Sequence, residues 1–238
     1  MNDALESPDR PISPDGARRP AVLFFDVNET LSDMSSLAGR FEEVGAPAHL
    51  AKTWFAELLR DGFALAACDD SESFATIGAE ALRVRLTDQA LNRSLEEAVE
   101  HVMAGFSALE VHPDVPDAIL ALSDLGIRLV TLSNGSASVA DALLQGAGVR
   151  DRFERLLSVE DVGVWKPAAG AYAYALAECG VDPMHAMLVA MHPWDLEGAR
   201  RADLATVWVN RSAARFPSYF APPDLEVTSL GQLAAEIR

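Results

Sequence analysis

The chain has 238 residues, 50% of them hydrophobic and 23% charged, and carries a formal net charge of −17. That length suffices for one large domain or a domain with an insertion, and the acidic balance excludes partners that need basic surface, nucleic acid and anionic membranes. No apolar run reaches the roughly 18 residues of a membrane span, no basic segment leads an apolar core at the N-terminus, and Cys68 and Cys179 lack metal-like spacing, so the expectation is a soluble cytoplasmic protein with both thiols reduced.

Residues 1–20 carry Pro8, Pro11, Pro14 and Pro20 without apolar periodicity and read as a disordered arm. The run Ala21-Val22-Leu23-Phe24-Phe25 reads as a strand buried on both faces and ends at Asp26. From Ser32 to Ser107 no further strand-like run occurs. Leu50, Trp54 and Leu58 fall at helical spacing between Ala48 and Ala67, a second helix spans Ser71 to Leu86, and Thr87 or Asp88 caps a third that carries Leu91, Leu95, Val99 and Val102. This block, 34–110, reads as an inserted helical cap.

From Val111 strands and helices alternate. A helix over Pro116 to Asp124 precedes a strand over Ile127 to Leu132, which ends in Ser133-Asn134-Gly135. Then come a helix over Ser138 to Gln145, a strand over Leu156 to Val159 and a helix over Ala168 to Cys179 stopped by Gly180. A strand over Ala186 to Ala190, a helix over about Leu196 to Ala202, a strand over Thr206 to Val209, a short edge at Glu226-Val227 and a helix over Leu230 to Ile237 complete the chain. Repeated strand–helix units specify an α/β fold, a Rossmann-like doubly wound parallel sheet built from 21–33 and 111–238.

Polar residues collect at the carboxyl ends of the predicted strands, where such sheets bind ligands: Asp26 with Thr30, Ser133 with Asn134, Lys166, and Asp195. Asp26 alone reads as nucleophile, metal ligand or helix N-cap, and the cap is the plainest of the three. Ser133, Asn134 and Asp195 can each be caps, and Lys166 can be solvated. Four such explanations at four strand ends are less economical than one site. A buried carboxylate nucleophile needs a cation, supplied by Lys166; Ser and Asn can hold an anionic group; a second carboxylate, Asp195, can activate water against a covalent ester.

The strand-Asp-x-x-x-Thr start, Leu132-Ser133-Asn134-Gly135, Lys166-Pro167 and Trp194-Asp195-x-x-Gly198-Ala199 resemble the haloacid dehalogenase superfamily from Ala21 to Arg238. Thr131 to Ser136, Leu157-Ser158-Val159, Trp165-Lys166-Pro167 and Val227 to Leu230 are similar to its L-2-haloacid dehalogenase (type II) branch. The resemblance implies hydrolytic dehalogenation of a small halogenated carboxylic acid. Asp26 would displace the halide and form an ester, and water activated near Asp195 would hydrolyse it. It further implies that Thr30 and Lys166 support Asp26, that Ser133 and Asn134 contact the substrate carboxylate or halide, that Tyr172 lies near the nucleophile, and that the enzyme forms a homodimer.

Phosphatases of the superfamily carry Asp two residues after the nucleophile, to protonate an alkoxide and help bind magnesium. Asn28 cannot donate that proton, and Met191 stands where metal-using members have an acid. The expectation is metal-independent chemistry with no cofactor.

The branch's Tyr is replaced by Asn28, its cap arginine by Phe55, and its late Ser and Asn by Ala190 and His192. Arg60 or Arg40 can stand in for the arginine only if the geometry differs. His192 and Trp194 each carry an N–H able to receive a halide; the plainer assignment is Trp194 as core and His192 as a loop residue bonded to backbone. Trp54, Phe55 and Phe63 line an apolar cap pocket or are plain core. The competing functions are phosphate-ester hydrolysis and a catalytically silent binding protein that keeps Asp26 as a relic.

Overall fold

The computed structural model describes residues 19–237, so nearly all of the expected arm over 1–20 lies outside the described residues. In chain order β1 (Val22–Phe25) leads to the two-residue strand β2 (Ser32–Asp33), the helices α1 (Leu37–Glu43), α2 (Leu50–Ala67), α3 (Phe74–Leu86) and α4 (Leu95–Ser107), and β3 (Glu110–Val111). Next come α5 (Val115–Asp124), β4 (Arg128–Ser133), α6 (Ala137–Gly146), β5 (Phe153–Ser158), α7 (Ala169–Cys179), β6 (Ala186–Ala190), α8 (Pro193–Arg201), β7 (Ala205–Val209), β8 (Leu225–Val227) and α9 (Leu230–Glu236).

Six strands form one parallel sheet in the order β5-β4-β1-β6-β7-β8. The chain builds outward from β1 through β4 and β5, then returns to the other side of β1 at β6. A crevice opens at that reversal, outside the carboxyl ends of the strands, and Asp26 follows β1 into it. All four residues of β1 are buried, and their alternation serves two cores: Val22 and Phe24 join one, Leu23 and Phe25 the other. The first core continues into the helical segment through Trp54, Phe74 and Trp165. No helix among the described residues is long and apolar enough to cross a membrane.

Several elements differ from expectation. The third cap helix starts at Leu95, because Ser94 and Glu97 form a reciprocal capping box; Thr87 instead closes α3 by donating to the Arg83 carbonyl. The helical block is not free of strands, since β2 and β3 pair antiparallel and hold its two ends side by side. Helix α1 is additional. Helix α8 begins at Pro193, whose missing N–H is no loss in a first turn, and this places Asp195 inside a helix.

Gly62 of α2 lies against Trp165, and a Cβ there would overlap the indole. The ring cannot yield: it stacks on Phe74 with centroids 5.9 Å apart, and its N–H donates to the Glu72 carbonyl at 3.0 Å. Gly62→Ala gains about 1 kcal/mol of helix propensity but incurs overpacking at the upper end of about 1–3 kcal/mol. A net loss of about 1–2 kcal/mol is expected, read as a lowered urea midpoint.

Candidate active site

Asp26 is 4% exposed, and its backbone N–H extends the β1–β6 ladder to Val189. Its Oδ1 accepts from Lys166 Nζ at 2.9 Å. Its Oδ2 accepts from Thr30 Oγ1 at 2.8 Å and lies 3.0 Å from His192 Nδ1. Thr30 Oγ1 itself accepts from the Met191 N–H at 2.9 Å, which leaves its own proton for Asp26. Lys166 Nζ also donates to Asp195 Oδ2 at 2.7 Å, and the Tyr172 hydroxyl donates to Asp195 Oδ1 at 2.6 Å. The other nitrogen of His192, Nε2, lies 2.9 Å from Glu29 Oε2.

These contacts set the protonation states. Burial alone would raise the Asp26 carboxyl, but the Lys166 ammonium and the hydrogen bond and charge of His192 outweigh it and hold the group well below the usual carboxylate range. Burial would likewise lower His192, yet its bonds to Asp26 and Glu29 push it up to about 9, so at neutral pH the ring is an imidazolium clamped by two carboxylates. Burial pushes the Asp195 carboxyl up, reinforced by the charge of Asp26 and opposed by Lys166. Lys166 is buried but raised, because Asp195 and Asp26 more than offset its desolvation.

The expected site residues divide accordingly. Asp26, Thr30, Lys166, Asp195, Tyr172 and His192 come together. Tyr172 is fully buried and spends its hydroxyl on Asp195, which gives it a supporting position rather than one against substrate. The Asn134 amide brackets Lys166, accepting from the Lys166 N–H at 2.9 Å and donating to its carbonyl at 3.3 Å. Ser133 Oγ accepts from the Gly135 N–H at 2.9 Å. Asn28, Ser133 and Phe74 line a cavity of about 300 Å³.

Phe55 and His192 line a different cavity, of about 450 Å³, with Met34, Met191 and Lys52. The apolar cap stripe thus serves two purposes, since Trp54 is fully buried and bonded to the Gly78 carbonyl. Trp194 stacks on His192 with centroids 5.1 Å apart and meets Phe63 edge-on at 4.9 Å. Arg60 does not reach the site; it is exposed, binds Asp61 and lines a groove beside α3. Arg40 pairs with Glu43 at the surface. His192 is not bonded to backbone as the plainer assignment had it, and both its nitrogens are occupied by carboxylates.

The sequence reading missed Glu29, which adopts a left-handed φ of 60° in the turn after β1, a conformation uncommon outside glycine. Its carbonyl accepts from His112 Nε2 at 3.0 Å. The one available signal was its place three residues beyond Asp26. The donor set does not suit magnesium. Both Asp26 oxygens face cationic donors, Met191 brings no side-chain oxygen, and among the described residues no cluster of three or more His, Cys, Asp or Glu is disposed to hold a metal.

A family model for haloacid dehalogenase-like hydrolases matches residues 20–203. An (S)-2-haloacid dehalogenase of Pseudomonas sp. (strain YL) is 32% identical, with 87% of this chain and 90% of the relative covered. The (S)-2-haloacid dehalogenase H-109 of Pseudomonas putida is 28% identical, with 89% and 95% covered. A solved dehalogenase with an intermediate complex superposes with a TM-score of 0.84 at 27% identity, covering 90% of this chain and 96% of that one. A doubly wound sheet with a buried, cation-held aspartate at its switch point, matched along most of its length, places this chain in the haloacid dehalogenase-like hydrolase family.

Proposed function

We infer that the protein hydrolyses the carbon–halogen bond of short 2-haloalkanoic acids, giving 2-hydroxy acids through an ester on Asp26 and without a metal. The observation that carries this is an aspartate kept ionised by Lys166 and His192, with Asn28 where a carboxylic acid would be needed to protonate an alkoxide. A halide leaves as a stable anion and needs no such proton. The similarity to (S)-2-haloacid dehalogenases over about nine-tenths of their length supports the same chemistry.

In the first step an Asp26 oxygen attacks the halogen-bearing carbon from the side opposite the halide. Oδ1, with one hydrogen bond, is less encumbered than Oδ2, with two. In the second step water attacks the ester carbonyl carbon, and an Asp26 oxygen exchanges with solvent. The oxygen that does not attack, Oδ2, becomes the ester carbonyl, and the Thr30 hydroxyl beside it steadies the developing oxyanion. The helical segment between β2 and β3 acts as the cap over this chemistry, and the working state is a soluble cytoplasmic homodimer.

The test is release of halide or phosphate from a panel holding both enantiomers of 2-chloropropionate, monohaloacetates and small phosphate esters, with and without EDTA. Halide release unaffected by chelator is expected. Phosphate release abolished by chelator overturns the assignment, and binding of the haloacids without any turnover favours the silent protein.

A further inference from the structure

We propose that Arg211, anchored by Asp114, is a positioning residue for the second half-reaction: by gripping the Thr30 carbonyl it aims the Thr30 hydroxyl at the ester carbonyl oxygen. This rests on the dehalogenase reading.

The turn after β1 needs outside support. Glu29 is held at a φ of 60°, and a side-chain residue stays in that region only where its surroundings over-determine it. Within the turn, the N–H groups of Leu31 and Ser32 donate to the Val27 carbonyl at 2.9 and 3.0 Å. The next three carbonyls, those of Glu29, Thr30 and Leu31, are each taken by a donor from far along the chain. His112 Nε2 lies 3.0 Å from the first, Arg211 Nη2 donates to the second at 3.1 Å, and the His112 N–H donates to the third at 2.9 Å.

Thr30 is the member of the three that meets the reacting group. Its hydroxyl donates to Asp26 Oδ2 at 2.8 Å and accepts from the Met191 N–H at 2.9 Å. A β-branched side chain has few χ1 choices, so the place of that hydroxyl follows from the place of the Thr30 backbone. Arg211 stands two residues beyond the end of β7. Its other arm, Nη1, donates to Asp114 Oδ1 at 2.7 Å, and Asp114 Oδ2 accepts from the Leu230 N–H at 2.7 Å, at the start of α9. Burial would raise the Asp114 carboxyl, yet Arg211 and the Leu230 N–H hold it below the usual carboxylate range, so the pair is ionic. One planar guanidinium thus spans an anchored carboxylate and the turn that carries Thr30. A lysine ammonium keeps the charge but lacks the rigid fork.

The experiment follows steady-state kinetics and intact-protein mass with (S)-2-chloropropionate for wild type, Arg211→Lys, Thr30→Val and the double variant. For Arg211→Lys the expected result is kcat lowered by about 10–100-fold, with ester-bearing protein accumulating. KM falls together with kcat, because hydrolysis of the ester is slowed more than its formation. In the Thr30→Val background the same lysine change costs about twofold or less, since the hydroxyl it aims is already gone. Asp114→Asn, which removes the anchoring charge, shows the same pattern to a smaller degree and decides the matter should Arg211→Lys not fold. A kcat lowered at constant KM with no ester detected marks a plain loss of folded enzyme and overturns the positioning role. A raised KM also overturns it, marking Arg211, which borders the 450 Å³ cavity, as a contact to the substrate itself. Effects of the two single changes that multiply in the double variant overturn the route through Thr30. A wild type that releases no halide overturns the dehalogenase reading, and the positioning role with it.

Discussion

Asp26→Asn is expected to remove turnover by on the order of 10⁴-fold or more, the scale seen when a covalent nucleophile is lost. The amide keeps the shape of the carboxylate but not its charge or nucleophilicity. The fold should survive, because Lys166 retains Asp195 at 2.7 Å and His192 retains Glu29 at 2.9 Å. Circular dichroism of the variant checks the fold, and halide release checks the chemistry. The matching measurement on wild type is repeated turnover in heavy-oxygen water followed by peptide mass analysis, with label expected in the Asp26 side chain. Turnover that persists in Asp26→Asn, or wild type without label there, defeats the ester mechanism.

Lys166→Met should carry the largest stability cost of any single change in the site. The ammonium is fully buried between two carboxylates, and its removal leaves Asp195 in the interior without a cation and Asp26 with His192 alone, a loss of about 3–5 kcal/mol. The pH response changes sign. In wild type the Asp26 carboxyl is lowered, so its contribution is complete above the usual carboxylate range near ~3.9 and fades only as pH falls through the depressed native value. In Lys166→Met the charge that opposed burial at Asp195 is gone while Asp26 keeps His192, so the Asp195 carboxyl rises further and the variant should regain stability as pH is lowered from 7 to 5, read from urea midpoints at each pH. His192 acts at the other end: its contribution is full below about 6.5 and is lost as pH rises through about 9. A variant as stable as wild type at pH 7 refutes the buried-triad account.

Much of the fold was legible in the sequence because it rests on local signals. The five apolar residues before Asp26, the strand–helix alternation after Val111, and the glycine that stops α7 each follow from a few neighbours along the chain. Local readings still erred in several places. The capping box at Ser94 was there to be read in Ser94-Leu95-Glu96-Glu97, whereas β2 and β3 are two residues each and exist only through their pairing. In the site, residue identity was easier to anticipate than residue duty. Asn134 and Tyr172 do lie beside the cluster, but which neighbour each serves depends on contacts 32 and 23 residues away along the chain. The pairing of His192 with Glu29 spans 163 residues, and nothing short of the assembled sheet edge brings them together.

The antiparallel pair β2–β3 is small, yet it governs how the molecule can change. Both crossings into and out of the four-helix segment run shoulder to shoulder, at a strand spacing of about 4.8 Å. An insertion tied at such a narrow neck can change length at its outer loops with little strain on the parallel ladder that presents Asp26, while Phe55 against His192 and Gly62 against Trp165 hold its inner face to the site.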